Sequence, residues 1–123
     1  NISAIMPFNH DLVIGLVGPC AAGKTTITSR LKKLGIQVRH IAQEHSYVKN
    51  MWERISHPDI LIYLDVSYPA TIKRRNLDWT LEEYNIQLER LSHARQHADL
   101  YINTDDLDIE QVLDQILDFL EHP

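Results

Sequence analysis

Cysteine is almost absent from this sequence, since Cys20 is the single one among 123 residues. A disulfide framework is therefore excluded. Long apolar runs are absent as well, and none approaches the roughly 20 residues that a membrane-spanning helix requires. The first residues carry no basic segment of the kind that opens a secretory signal. These absences predict a cytoplasmic protein with no membrane partner.

Positive charge is also scarce, because 12 Lys and Arg stand against 17 Asp and Glu for a net charge of −5. Such a chain lacks the broad basic surface that nucleic-acid binding requires, so no nucleic-acid partner is expected. Hydrophobic residues make up 44% of the chain, which suffices for one core. We expect residues 1–10 to be a leader or a disordered N-terminus and residues 11–123 to form a single domain.

Strand-like and helix-like patterns alternate along the chain. Residues 12–17 and 59–66 are continuous apolar runs, typical of parallel strands covered on both faces, and residues 37–42 and 100–102 give two shorter strands. Helices are predicted to begin near positions 24, 46, 69, 80 and 109. The helix near position 46 is predicted to carry one apolar face, made of Val48, Met51, Trp52 and Ile55. The alternation predicts an α/β fold, a three-layer α/β/α sandwich around a parallel sheet of about four strands.

One motif points to a function. Residues 18–25 match G-x-x-x-x-G-K-[ST] in full, between the first predicted strand and the first predicted helix. In such a loop the backbone N–H groups surround a phosphate, the lysine contacts the β and γ phosphates, and the hydroxyl contacts Mg²⁺. The fold is therefore predicted to be of the P-loop NTPase type, with ATP or GTP and Mg²⁺ as cofactors. The residues predicted to bind the nucleotide are Gly18, Pro19, Cys20, Ala21, Ala22, Gly23, Lys24, Thr25 and Thr26.

With this motif, two further segments resemble the small P-loop nucleoside and nucleotide kinases, which include thymidylate, adenylate and shikimate kinases. Residues 58–75 (PDILIYLDVSYPATIKRR) are similar to the late strand and lid-entry helix of that family, and residues 98–117 to its last strand and closing helix. The resemblance implies transfer of the ATP γ-phosphoryl group to a small acceptor, such as a nucleoside or nucleotide. It also implies a mobile arginine lid and places residues 103–106 beside the adenine.

The catalytic residues that this resemblance and the motif suggest are Lys24, Arg74, Arg75, Arg90 and Glu44. The arginines are expected to neutralise charge on the phosphoryl oxygens, the main demand of phosphoryl transfer.

The segment between Gly35 and Asp59 departs from the family, because its roughly 25 residues replace a further strand and a longer acceptor-binding segment. The Asp-Arg motif of the family is absent, and Gln-Glu-His-Ser at residues 43–46 stands in its place. Glu44 follows a predicted strand and could bind Mg²⁺ or act as a base on the acceptor. Asp65 ends the strongest predicted strand and is the other acidic candidate. The metal ligands considered are Thr25, Glu44 and Asp65.

The shortened acceptor region keeps two alternatives open. One is a nucleotide-binding or sensing module, in which occupancy of the loop moves the arginine-bearing helices. The other is a slow NTPase, in which water takes the place of the acceptor. Arginines that neutralise a transferring phosphoryl group favour the phosphotransferase.

Overall fold

Four strands form one parallel sheet in the computed structural model, which describes residues 11–75 and 78–122. The strands are β1 (Val13–Val17), β2 (Gln37–His40), β3 (Ile60–Asp65) and β4 (Leu100–Asn103). They lie in the order β2-β1-β3-β4, so β1 and β3 are internal. Internal strands are covered on both faces, which explains why these two are continuous apolar runs. Residues 1–10, predicted to be a leader, lie outside the described part of the chain.

Helices separate the strands, as predicted, and three of them lie between β3 and β4. They are α1 (Lys24–Lys33), α2 (Met51–Ser56), α3 (Tyr68–Arg75), α4 (Leu81–Arg90), α5 (Ser92–His97) and α6 (Ile109–Glu121). Helix α1 ends before Gly35, which has a φ of 82°, and α4 begins at the predicted capping box of Thr80 and Glu83. A second capping box, of Asp108 and Gln111, opens α6. No helix in residues 11–75 and 78–122 is both long and apolar enough to cross a membrane.

Buried apolar side chains cover both faces of the sheet. On one face, the strands pack against α1 and α6 through Ile14, Leu16, Ile62, Leu64, Ile27, Leu31, Val112, Leu113, Ile116 and Leu120. On the other face, they pack against α2 and α5 through Val17, Leu61, Tyr63, Trp52, Leu91 and Ala94. Side chains alternate along a strand, so β1 and β3 contribute to both cores. The predicted α/β fold, with a four-stranded parallel sheet between helices, is confirmed.

The predicted helix near position 46 is wrong in its start and in its buried face. A 3-10 turn at Gln43–His45 comes first, and the helix begins at Met51. The reason is the buried side chain of Gln43, which accepts a hydrogen bond from the Trp52 backbone at 2.8 Å and donates one to the Val48 carbonyl at 2.9 Å. The chain folds around this amide instead of continuing as a helix. Ile55, assigned to the apolar face, is 72% exposed.

Candidate functional site

The motif loop, residues 18–25, connects β1 to α1 at the carboxyl edge of the sheet. A Cβ atom on Gly18 would lie 2.0 Å from the Leu64 carbonyl oxygen, so only glycine allows the loop to pass this close to β3. Ala21 and Gly23 have φ values of 71° and 96°, and these left-handed residues curl the loop back toward the helix. The first N–H groups of a helix lack partners within it. The motif loop therefore presents the N-terminus of α1 to the space that it encloses.

Lys24 is the first residue of α1, and its side chain folds back into the motif loop. Only 5% of its surface is exposed. Its ammonium group donates to the Gly18 carbonyl oxygen and to Glu44 Oε2, the latter at 2.5 Å. Burial lowers the pKa of Lys24 below its ordinary value of 10.5, and the Glu44 carboxylate opposes that shift. Lys24 and Glu44 therefore form a buried ion pair at the base of the loop.

Glu44 reaches Lys24 from the 3-10 turn that follows β2, so two neighbouring strands bring the pair together. The residue is 4% exposed, and its Oε1 atom has no hydrogen-bond partner among the described residues. The ring of His45 lies near, with Nε2 3.8 Å from Glu44 Oε2. A buried carboxylate oxygen without a partner is costly unless a ligand satisfies it. Glu44 therefore offers this site a buried oxygen that a ligand can satisfy.

A cavity of about 210 Å³ opens above this pair, and we call it the loop cavity. Its lining comprises Cys20, Ala21, Ala22, Gly23, Lys24, Thr25, Thr26, His40, Glu44 and Arg75. Most of the predicted nucleotide-binding residues, with Glu44 and Arg75, thus meet in one space. His40, the last residue of β2, was not predicted; its position at the carboxyl edge of a parallel strand was the available signal. Burial and the charge of Lys24 lower the pKa of His40 below 6.5.

Three predicted residues lie elsewhere in the described structure. The Asp65 carboxylate accepts a hydrogen bond from the Tyr101 hydroxyl at 2.5 Å and another from the Val66 backbone at 2.9 Å. Arg90 stacks its guanidinium over the Tyr47 ring, 4.6 Å from the centroid, and donates to the Glu44 carbonyl oxygen at 3.3 Å. The Asp65 carboxylate therefore bonds to Tyr101 of β4, and Arg90 contacts the Glu44 backbone instead of the loop cavity.

Arg74 is the third of these residues, and it fixes the outer side of the motif loop. Its guanidinium donates to the Ala21 carbonyl oxygen at 3.2 Å, to Thr104 Oγ1 at 2.9 Å and to the Thr104 carbonyl oxygen. These contacts border a second cavity of about 310 Å³, which we call the Arg74 cavity. It is lined by Ala21, Ala22, Gly23, Arg74, Thr104, Leu107, Asp108, Ile109 and Val112. The motif loop therefore separates two adjoining cavities.

Gln87 of α4 is a contact of the motif loop that sequence reasoning missed. Its buried amide accepts a hydrogen bond from the Cys20 backbone N–H and donates one to Cys20 Sγ, both at 3.1 Å. The two residues are separated by 67 positions, and no local pattern marks glutamine for this role. Gln87 and Arg74 thus hold the loop from two sides.

Comparison with known proteins identifies a similar fold. No protein-family model matches the sequence, and no curated protein sequence matches it. Among solved structures, the chain is similar to the YorR protein from Bacillus subtilis, crystallised in complex with phosphorylated GDP. The TM-score is 0.65 at 14% sequence identity, over 89% of this chain and 95% of that one. The likeness agrees with the α/β architecture described above.

Proposed function

We propose that this chain binds a nucleoside triphosphate, ATP or GTP, and transfers its γ-phosphoryl group to a small acceptor such as a nucleoside or nucleotide. One observation carries the proposal: the Lys24 ammonium and the Glu44 carboxylate meet in a cavity walled by a complete G-x-x-x-x-G-K-[ST] loop. A lysine and the N-terminus of a helix in one cavity are suited to a polyphosphate. The nucleotide bound by the structurally similar YorR protein also supports this assignment.

Different residues of the loop cavity are proposed to bind the phosphates, the metal ion and the transferring phosphoryl group. Lys24 contacts the β and γ phosphates, and Arg75, which lines the same cavity, neutralises charge on the transferring phosphoryl group. The oxygen atoms of Thr25 and Glu44 are ligands that Mg²⁺ prefers. Bound there, Mg²⁺ supplies positive charge to the phosphate oxygens. The partnerless Oε1 of Glu44 fits this role.

The Arg74 cavity is the proposed site of the nucleotide base. It adjoins the motif loop, as the base must if the phosphates lie in the loop, and the apolar side chains of Leu107, Ile109 and Val112 cover part of its wall. The guanidinium of Arg74 is already fixed by Thr104 and Ala21, so its planar face can stack on a planar ring at little entropic cost. In this proposal Arg74 binds the base, and Arg75 neutralises charge on the phosphates.

The acceptor is proposed to bind beside Tyr47 and Arg90. These residues line a surface depression of about 220 Å³ together with Lys49, Ile86 and Glu89. An aromatic ring next to an arginine suits a planar group that carries a negative charge. Glu44 joins the two sites, because its carboxylate lines the loop cavity and its carbonyl oxygen accepts from Arg90. Glu44 can therefore act on an acceptor hydroxyl as a base.

The test is an acceptor screen with γ-labelled ATP and GTP, in which label on the acceptor is measured separately from free phosphate. Label on a nucleoside, nucleotide or small alcohol supports the proposal. Free phosphate alone would indicate an NTPase, and nucleotide binding without either product would indicate a sensing module. Glu44→Gln is the matched variant, because it keeps the side-chain size and removes the charge. We expect it to abolish most of the transfer while nucleotide binding persists.

A further inference from the structure

Three metal-binding residue types meet at the mouth of the motif loop. One ligand atom from each of Cys20, Glu44 and His45 lies within 4.8 Å of the other two. Within residues 11–75 and 78–122 no other group of three such residues comes this close. Ligand atoms around a tetrahedral zinc ion are separated by about 3.5 Å, so a pair of these groups at the 4.8 Å limit must approach by about 1 Å. The ring of His45 is 60% exposed and can rotate to close this gap.

The donor set differs from that of a magnesium site. Thiolate and imidazole are ligands of zinc and of the later first-row transition metals, whereas Mg²⁺ prefers oxygen alone. Glu44 adds a carboxylate, and its Oε1 atom is buried without a partner among the described residues. The other oxygen is held by Lys24. One oxygen of Glu44 is thus already engaged, and the other remains to be satisfied.

The atoms around these three residues resemble the outer shell of a metal site. The Gln87 amide donates to Cys20 Sγ at 3.1 Å, a contact that fixes the position of the sulfur. Gln87 also accepts a hydrogen bond from the Cys20 backbone N–H, so it holds Cys20 at both its backbone and its sulfur. Three protein ligands leave a fourth position for water, the pattern of an open zinc site.

From these contacts we propose that, in the nucleotide-free protein, Cys20, Glu44 and His45 form a binding site for a soft divalent cation of the zinc class. Binding forms a bond from the metal to Cys20 Sγ, and the thiol proton leaves to solvent. The carboxylate of Glu44 and the neutral ring of His45 give their lone pairs to the same ion.

The experiment uses Co²⁺ as a spectroscopic probe of the nucleotide-free protein. Cys20 is the only cysteine, so a thiolate-to-cobalt charge-transfer band can arise at no other position of this chain. We expect the band in the wild type, its loss with Zn²⁺ added in slight excess, and no change with Mg²⁺ in large excess. Cys20→Ala should abolish it. Absence of the band in the folded wild type would overturn the proposal.

Three variants test the remaining ligands and the outer shell. His45→Ala changes an exposed ring and should weaken Co²⁺ binding by at least about tenfold, and Gln87→Leu by about 10- to 100-fold. His97→Ala is the matched control. The ring centroids of His93 and His97 lie 4.2 Å apart, so this histidine pair is another place where Co²⁺ can bind, but it contains no thiol. The control variant should leave the band and its midpoint unchanged. Equal Co²⁺ affinity in the wild type and His45→Ala would mean that the His45 ring is not a ligand, and would contradict the proposal.

Discussion

At the scale of single residues, Lys24 has a structural role besides its proposed role toward phosphate. Its removal leaves the Glu44 carboxylate buried without a counter-charge, which costs about 3–5 kcal/mol when one partner of a buried pair is lost. We therefore expect Lys24→Ala to lower the stability of the nucleotide-free protein in urea unfolding. Lys24→Ala/Glu44→Gln should regain most of the loss, because the second change removes the isolated charge. A double variant as unstable as the single one would contradict the pairing.

Arg74 and Arg75 line different cavities, so their alanine variants should change different kinetic constants. Arg75 lines the loop cavity, so Arg75→Ala should lower kcat by about 100-fold and change KM for the nucleotide little, since its contact tightens in the transition state. Arg74 is bound to Ala21 and Thr104 beside the other cavity, so Arg74→Ala should mainly raise that KM. Steady-state kinetics of both variants measure the split. Identical effects of the two changes would argue against separate roles.

Position 18 requires glycine because the backbone passes close to β3, not because of contact with a ligand. A methyl group there would clash with the Leu64 carbonyl oxygen at 2.0 Å, and we expect Gly18→Ala to destabilise the protein by about 3 kcal/mol or more. Gly35→Ala is the matched control. Gly35 has a φ of 82°, but a methyl group added there would meet no atom within 4 Å, so its cost should be about 1 kcal/mol. Urea unfolding of both variants measures the difference.

At the scale of elements, α4 is joined to the end of β3 by a buried phenol. The Tyr84 hydroxyl donates to the Val66 carbonyl oxygen at 2.6 Å. Burial, and next the Asp65 carboxylate, raise the pKa of Tyr84 from 10.0 to about 12. Because the folded-state pKa lies above the unfolded one, this stabilisation is complete below pH 10 and is lost as pH rises through 12.

Tyr84→Phe should therefore flatten the loss of stability at alkaline pH, and should cost about 1 kcal/mol at neutral pH for the hydrogen bond. Urea unfolding at a series of pH values measures both effects. Tyr47→Phe is a suitable control because that ring is 86% exposed. An alkaline dependence of Tyr84→Phe as steep as that of the wild type would exclude Tyr84 as a source of the slope.

Elements with a strong local pattern could be predicted from the sequence, and elements ordered by distant contacts could not. The apolar run of β3 and the capping box of α4 depend on neighbouring residues, so both were visible. The start of α2 depends on Gln43, whose amide bonds to residues five and nine positions away and also to the Arg90 carbonyl. Helical periodicity carries no information about such a buried amide.

At the scale of the whole molecule, the parallel sheet gathers the site at one edge. The motif loop and the Glu44 turn follow adjacent parallel strands, so their meeting could be expected from the order of elements. Their direct ion pair could not, because it depends on how deeply each side chain is buried. Gln87 and Arg74 contact the loop across 67 and 53 positions, and these contacts appear only once α3 and α4 are packed.

The ion pair of Lys24 and Glu44 also bears on the order in which the proposed nucleotide and acceptor bind. In the proposed site Glu44 Oε1 binds Mg²⁺, so Oε2 is the oxygen left to accept a proton from an acceptor hydroxyl, and it cannot do so while Lys24 holds it. If the proposed function holds, a triphosphate that attracts Lys24 frees Glu44 Oε2, so the nucleotide should bind before the acceptor. Calorimetry with an acceptor should then give clearly tighter binding when Mg²⁺ and a non-hydrolysable nucleotide are present. Linkage demands the reciprocal gain for the nucleotide. Equal acceptor affinity with and without nucleotide would mean random addition, with Glu44 free of Lys24 from the start.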